Sequence, residues 1–339
     1  MMNMKENICD ANYSNMHEML DDCLCEVQKR TANTNILGIS TGFEPIDDLI
    51  GGFEKGKVYI IGGRPCMGKE ELMLSMIIEI AMRNNLPVLM FSTNHRKQDY
   101  VQRLLSIRYD ISTSRLNRGL LDTEEWERLD KETEPLIDTP LFIHDCLDLQ
   151  LNELTETIRK GVSETGARIV FVDCLQMIDF GKEAENPSER IAKVMYSLKQ
   201  LACLYNIPIV VGSMLNREIE HREGIEGKLP QFMDFANSSY IEELADVVMM
   251  VFRPELYQIF QDEKGRDFHG VMNVVVMKNG LKQLGSCYLE YNEETGAISR
   301  GGQDDKSASN GVGLNETGQN NEVAKKIIRL FDCERDMPF

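Results

Sequence analysis

The sequence predicts an α/β fold with a mainly parallel central sheet flanked by helices. Three observations carry that expectation. Apolar strand-like runs alternate with helical patterns from about residue 37 to 298, the arrangement that builds parallel sheets. A glycine-rich phosphate-loop pattern follows one of these runs and opens a helix. A second run, Ile169-Val-Phe-Val-Asp173, ends in an acid.

At the N-terminus, Met16, Met19, Leu20, Cys23, Leu24 and Val27 recur at three- and four-residue spacing, which predicts an amphipathic helix. Its stripe must dock on this domain or on a neighbour, because an isolated helix cannot bury it alone. Strands are expected at 58–62, 88–92, 141–144, 169–173, 207–212, 247–252 and 271–277, and helices at 70–83, 97–109, 123–134, 151–165 and 187–205. Pro87 and Pro208 stand just before strands, where they do not break a ladder. Residues 301–321 are rich in Gly, Asn, Ser and Asp, a flexible-linker composition, and 322–331 suits a short helix. The expected division is a tail and linker helix over 1–36, a core over 37–300 and an acidic, flexible tail over 301–339.

Composition excludes several classes. No apolar run approaches the roughly 20 residues of a membrane span, and the polar N-terminus lacks the apolar core of a signal peptide, so a cytoplasmic protein is expected. Nine cysteines are scattered without a CxxC pair, which argues against zinc and disulfides. The net charge of −18 opposes strong autonomous binding to nucleic acid, which needs basic surface, although a local patch or ring channel could still be basic.

Gly63-Arg64-Pro65-Cys66-Met67-Gly68-Lys69-Glu70 has GxxxxGK spacing between a strand and a helix, the context that makes this motif informative. Its glycines let backbone N–H groups face phosphates, and Lys69 would reach the β and γ positions. The following residue should carry a hydroxyl for Mg²⁺. Here it is Glu70, with Glu71 beside it; two acids at a helix N-terminus suit the dipole and would stand in part for phosphates in an empty site. Asp173 would hold the Mg²⁺ water shell. The pattern suits phosphate groups with Mg²⁺. His95 and His144 read as polar residues at strand ends rather than metal ligands, Arg217, Arg222 and Arg253 could line a phosphate path although most surface arginines do not, and the methionines read as core filler.

The ordered motifs resemble the RecA-like motor domain of DnaB-type bacterial replicative helicases. Gly38-Ile-Ser-Thr-Gly-Phe43 with Asp47 and Gly51-Gly-Phe53 is similar to that domain's leading segment. The phosphate loop resembles ARPSVGK, and Val172-Asp-Cys-Leu-Gln176-Met-Ile178 resembles IDYLQLI. Ser197-Leu-Lys-Gln-Leu-Ala202, Ser213-Met-Leu-Asn-Arg217 and Ile241-Glu-Glu-Leu-Ala-Asp246 follow in family order. The resemblance spans about 38–300. It implies a P-loop NTPase with ATP and Mg²⁺ as cofactors that assembles with itself or with helicase-family subunits, the 15–30 helix being the linker that docks on an adjacent ring subunit. The family's N-terminal helical domain has no counterpart ahead of it, so a member lacking that domain is expected.

Set residue by residue against the family, the catalytic positions depart. Lys69, Asp173 and Gln176 match. The hydroxyl position is Glu70, the general-base position is Asn94, the sensor position is Met214, and the trans-acting finger positions are Lys278 and Gly280, with Lys282 two residues further. The DNA-loop segment reads Ala236-Asn-Ser-Ser-Tyr240, without its Arg. Loss of a general base typically costs ~10²–10⁴ in rate and loss of an arginine finger ~10³–10⁵. The resemblance therefore implies a degenerate helicase with weak or no ATPase and weak binding of single-stranded DNA, used as an assembly or replication-associated module. The alternative is an active helicase in which Glu71, Asp99 or Glu220 serves as base and Lys278 or Lys282 as finger. Finally, Asp336-Met-Pro338-Phe339, with Asp332 and Glu334 upstream, resembles the acidic tip of bacterial single-stranded-DNA-binding proteins. That implies a replication or repair protein as a partner gripping Phe339.

Overall fold

In the computed structural model, residues 15–17, 20, 24, 36–146, 149–179, 186–235, 238–261, 265–280 and 284–300 are described. The strands are β1 (Val58–Gly63), β2 (Val88–Ser92), β3 (Leu141–Asp145), β4 (Ile169–Asp173), β5 (Ile209–Met214), β6 (Val247–Phe252), β7 (Val271–Asn279), β8 (Gly285–Tyr291) and β9 (Ile298–Arg300). They form one nine-stranded sheet in the order β3-β2-β4-β5-β1-β6-β7-β8-β9. From β3 to β6 every pairing is parallel; β7, β8 and β9 add an antiparallel edge. The predicted mainly parallel α/β fold is what the chain adopts.

The reason lies in the apolar runs. β1, β2, β4 and β6 are buried at every position, as strands covered on both faces must be. One face of the sheet packs Tyr59, Ile61, Phe171, Met249 and Val274 against Leu72, Met76 and Ile77. The other packs Val58, Ile60, Val172, Val211 and Met250 against Val194, Leu198 and Leu201.

The covering helices are α1 (Glu44–Ile50), α2 (Lys69–Ile77), α3 (Lys97–Tyr109), α4 (Thr113–Arg118), α5 (Thr123–Thr133), α6 (Leu151–Thr165), α7 (Pro187–Tyr205), α8 (Gly224–Gly227) and α9 (Ser238–Leu244). Local chemistry starts several of them. Asp122 and Glu125 form a reciprocal capping box at α5, and Asn186 accepts from the Glu189 amide ahead of Pro187 at α7, a proline position that needs no N–H.

Several expectations needed correction. The helix expected over 70–83 is α-helical only to Ile77 and continues as a π-helix from Ile78 to Arg83. The strand expected at 207–212 starts after Pro208, which lacks an N–H to donate, and runs to Met214. The strand expected at 271–277 runs on to Asn279 and is antiparallel. Strands β8 and β9 and helices α1, α4, α8 and α9 were not expected. Of the N-terminal stripe, Met16, Leu20 and Leu24 are described; they are helical and 67%, 52% and 56% exposed. Met19, Cys23 and Val27, the 301–339 tail and Lys282 lie outside the described residues. No described helix is long and apolar enough to cross a membrane.

Candidate functional site

The site forms where the parallel strands end, the usual crevice of such sheets. Register brings its parts together. Ser92 pairs with Asp173, Gly62 with Ser213 and Gly63 with Met214. The chain leaves β1 at Gly63 and turns through Cys66 (φ 67°) and Gly68 (φ 88°) into α2. Gly68 is demanded twice. Its φ lies in the left-handed region, and a Cβ there would sit 2.3 Å from Met272 Cε.

Lys69, the first residue of α2, is buried and forms an ion pair with Asp173 Oδ1 at the end of β4. Tyr100 Oη donates to Asp173 Oδ2 at 2.9 Å. Burial opposes the Lys69 charge, but Asp173 beside it outweighs that and raises its pKa. Gly212 on β5 faces the pair; a Cβ there would lie 2.4 Å from Asp173 Oδ1 and 2.9 Å from Lys69 Nζ. The Thr93 hydroxyl bridges the strand ends, donating to the Asp173 carbonyl at 2.9 Å and accepting from the Cys174 amide at 2.8 Å. That bridge fixes where half-buried Asn94 follows.

Glu70 is held by two partners. Its Oε2 accepts from Arg103 Nη1 and contacts His95 Nε2 at 3.1 Å, while Arg103 Nη2 pairs with Glu71. Burial pushes the Glu70 carboxyl up, yet the His95 hydrogen bond and the Arg103 charge prevail and hold it down at about 2. The same contact raises His95. His95, three residues past the end of β2, thus joins the polar cluster at the head of α2.

The remaining positions fall as follows. Gln176 Nε2 donates to Ser213 Oγ at 2.8 Å, and its Oε1 accepts from the Met214 amide at 2.9 Å, so it ties β4 to β5. Arg64 donates to the Leu215 carbonyl at 2.9 Å and to Glu220 at 3.0 Å. Pro65 is exposed. Lys278 donates to the carbonyls of Glu242 and Glu243 near the end of α9, and Gly280 is exposed with φ 55°. Both stand at the far end of the sheet from this chain's own phosphate loop: Asn279 pairs with Val247, and Tyr59, not Gly63, is the β1 residue beside Val247. Four residues of strand, roughly 13 Å, separate them from Gly63. Of the DNA-loop segment, Ala236 and Asn237 lie outside the described residues.

Sequence reasoning missed Tyr100, Arg103 and Gly212, and set Arg253 aside. Arg253 is 2% exposed, donates to the Cys66 carbonyl at 3.3 Å, and lies 4.2 Å over the Tyr291 ring against the loop. Tyr100 and Arg103 sit three apart on α3, one face of a helix; that spacing was the available signal.

The residues fit phosphate groups: a backbone turn with two left-handed residues, a buried lysine and a glycine-cleared floor. They do not fit Mg²⁺ as they stand. Both carboxylates are engaged, Asp173 by Lys69 and Tyr100, Glu70 by Arg103 and His95. Among the described residues no group of three or more His, Cys, Asp or Glu is placed to hold a metal.

Residues 38–300 match the family described as DnaB-like helicase C terminal domain. The chain is 30% identical over 330 residues to "Replicative DNA helicase DnaB" of Helicobacter pylori, covering 96% of this chain and 65% of that protein. It is 32% identical over 248 residues to the protein of the same name in Treponema pallidum, covering 72% of this chain and 54% of that one. It therefore spans about two thirds or less of these relatives' lengths. In fold it is similar to "The Structure Of A DnaB-Like Replicative Helicase And Its Interactions With Primase" (TM-score 0.73, 23% identity, 85% of this chain and 67% of that one). A second similar fold is a solved ATPase domain (TM-score 0.77, 22% identity, 86% and 100%).

Proposed function

Because the chain belongs to the DnaB-like helicase C-terminal domain family, we propose that it keeps a helicase motor's fold but serves as an assembly or replication-associated interaction module with weak or no ATPase. One observation carries this reading. At the head of α2, where the family pattern places a metal-binding hydroxyl, stands a carboxylate already neutralised by Arg103 and His95. A nucleotide bringing Mg²⁺ would have to break that clamp and the Lys69–Asp173 pair together. Asn94 at the base position and Gly280 at the finger position remove further rate.

The exposed stripe of Met16, Leu20 and Leu24 supports docking of the 1–36 segment on a second copy or on a helicase-family subunit rather than on its own 37–300 core. The net charge of −18 makes contact with single-stranded DNA secondary and dependent on assembly. The 301–339 segment ending in Asp336, Pro338 and Phe339 is proposed to engage a replication or repair protein in the cytoplasm.

An active ATP-dependent replicative DNA helicase is the second reading, favoured by Lys69, Asp173 and Gln176 all converging on one site. Two of its candidate bases are ion-paired, Glu71 by Arg103 and Glu220 by Arg64, and the third, Asp99, accepts from the Arg96 amide at 3.3 Å. Steady-state phosphate release with Mg²⁺, ATP and single-stranded DNA separates the two. The module reading expects turnover below about 0.01 s⁻¹; turnover near one per second or faster, within the ordinary enzyme range, overturns it.

A further inference from the structure

Farther along α2, away from the phosphate loop, lies a cavity of about 300 Å³ between the loop before α1, the α2–π-helix segment, the end of α3 and β9. That volume is at the small end for ligand sites. Ser75 starts this stretch, six residues beyond Lys69, or roughly 9 Å along the helix axis.

Two polar atoms in its wall are buried and without a hydrogen-bond partner: Ser75 Oγ, on a residue 9% exposed, and Arg108 Nε. Buried polar groups are nearly always satisfied, so each such orphan calls for an explanation. The wall also carries Arg83 and Arg300 against a single acid, Glu79. Arg83 is paired with Glu79 at 2.8 Å and Arg300 meets Glu44 at the rim at 3.3 Å, so three guanidinium groups against two carboxylates leave a net charge of +1, carried by Arg108, in a chain whose total is −18. Phe43, Ile78 and Ile107 supply apolar surface between the charges.

The backbone around the cavity is shaped as well. The stretch that carries Ile78, Glu79 and Arg83 is π-helical, a rare form that recurs at functional sites. Gly42 holds φ 89°, and a Cβ there would fall 2.5 Å from Glu79 Cγ; only glycine lets this loop close over the rim.

We infer that this cavity binds a compact organic oxyanion, a phosphate monoester or carboxylate on a ring-sized apolar body. Arg108 and Ser75 grip the head, Arg83 and Arg300 flank it, and the apolar wall takes the ring. Guanidinium forks suit both head groups. The site is separate from the phosphate loop and shares none of its residues.

Calorimetric titration of the full chain with phenyl phosphate and with benzoate tests the assignment, with inorganic phosphate measuring the head alone. At least one of the first two should bind saturably with Kd at or below about 1 mM, and the tighter of them names the head group. Arg108→Gln, and Ser75→Leu which fills the space, should each weaken it by about tenfold or more, whereas Lys69→Ala should leave it within about twofold. Arg300→Gln, at an exposed position that cannot unfold the core, should weaken it by about threefold or more. Failure of both probes to bind below about 10 mM, or binding lost in Lys69→Ala but kept in Arg300→Gln, overturns the inference.

Discussion

Arg103→Gln removes the one guanidinium on which both acids at the head of α2 depend. Arg103, Glu70 and Glu71 are each only about a fifth exposed in their side chains (20%, 21% and 21%). At an effective dielectric near 20, unit charges 4 Å apart attract by ~4 kcal/mol, and breaking a fully buried pair costs ~3–5 kcal/mol. Partial exposure and the remaining His95 contact reduce this to about 2–3 kcal/mol. Glu70 itself gives a second measure. Its carboxyl is held at about 2 against an ordinary 4.5, a preference for the charged form worth on the order of 3 kcal/mol, shared between His95 and Arg103. Because the folded pKa is depressed, that stability is fully present above pH 4.5 and is lost as pH falls through about 2,. The deficit of the variant should therefore be full at pH 7 and narrow stepwise below pH 4.5. Urea unfolding at unchanged slope measures it; in a thermal scan it corresponds to roughly 4–12 °C for a domain of this size. Combining Arg103→Gln with Glu70→Gln and Glu71→Gln removes the whole charge set and should recover most of the loss, as replacing complete ion clusters generally does. A single variant within about 0.5 kcal/mol of the parent at pH 7, or a triple variant as unstable as the single one, refutes the clamp.

Glu70→Thr returns a hydroxyl to the metal position and should tighten binding of an ATP analogue with Mg²⁺ by about tenfold or more, read by calorimetry; equal affinity with and without the change counts against the role given to Glu70. Gly212→Ala places a methyl 2.4 Å from Asp173 Oδ1 and should cost ~1–3 kcal/mol by overpacking, visible as a lowered melting temperature. His95→Gln should destabilise most below pH 6.5, the ordinary histidine value, because a raised folded pKa adds stability there and loses it as pH rises through that pKa,; stability curves of parent and variant at pH 5 and pH 8 check the sign. Leu20→Glu with Leu24→Glu, at exposed positions, should leave stability within about 0.5 kcal/mol yet lower the assembled mass in light scattering. An unchanged mass removes the stripe from assembly.

Much of the site was legible because its signals are local. A strand, a glycine turn and a lysine within 12 residues, 58–69, announce a phosphate loop without knowledge of any distant contact, and Asp173 is marked by the strand it ends. The parallel strands were legible for a related reason: strands buried on both faces must be apolar throughout, and that run is visible in the chain itself. β8 escaped notice because it is half-buried; its pattern of partly exposed and buried positions over 285–291 carries a weaker apolar signal. β9 is three residues long, too short for any period. The π-helical turn after Ile77 shares the apolar composition of the helix it extends, so nothing in residue type separates them.

By itself, then, the sequence determined the class of fold and marked the glycine-rich loop of 63–70, since both are written in neighbouring residues, whereas the departures at Glu70, Asn94, Met214 and Gly280 are read against the family it resembles. Only the tertiary structure decided what those departures meet. That Arg103 and His95 close on Glu70, that Lys69 turns to Asp173, and that Arg253 lies on Tyr291 depends on which strands and helices become neighbours. Those pairs join residues from 25 to 104 positions apart. Charge complementarity over such separations is set by the sheet order and register, which no local pattern encodes.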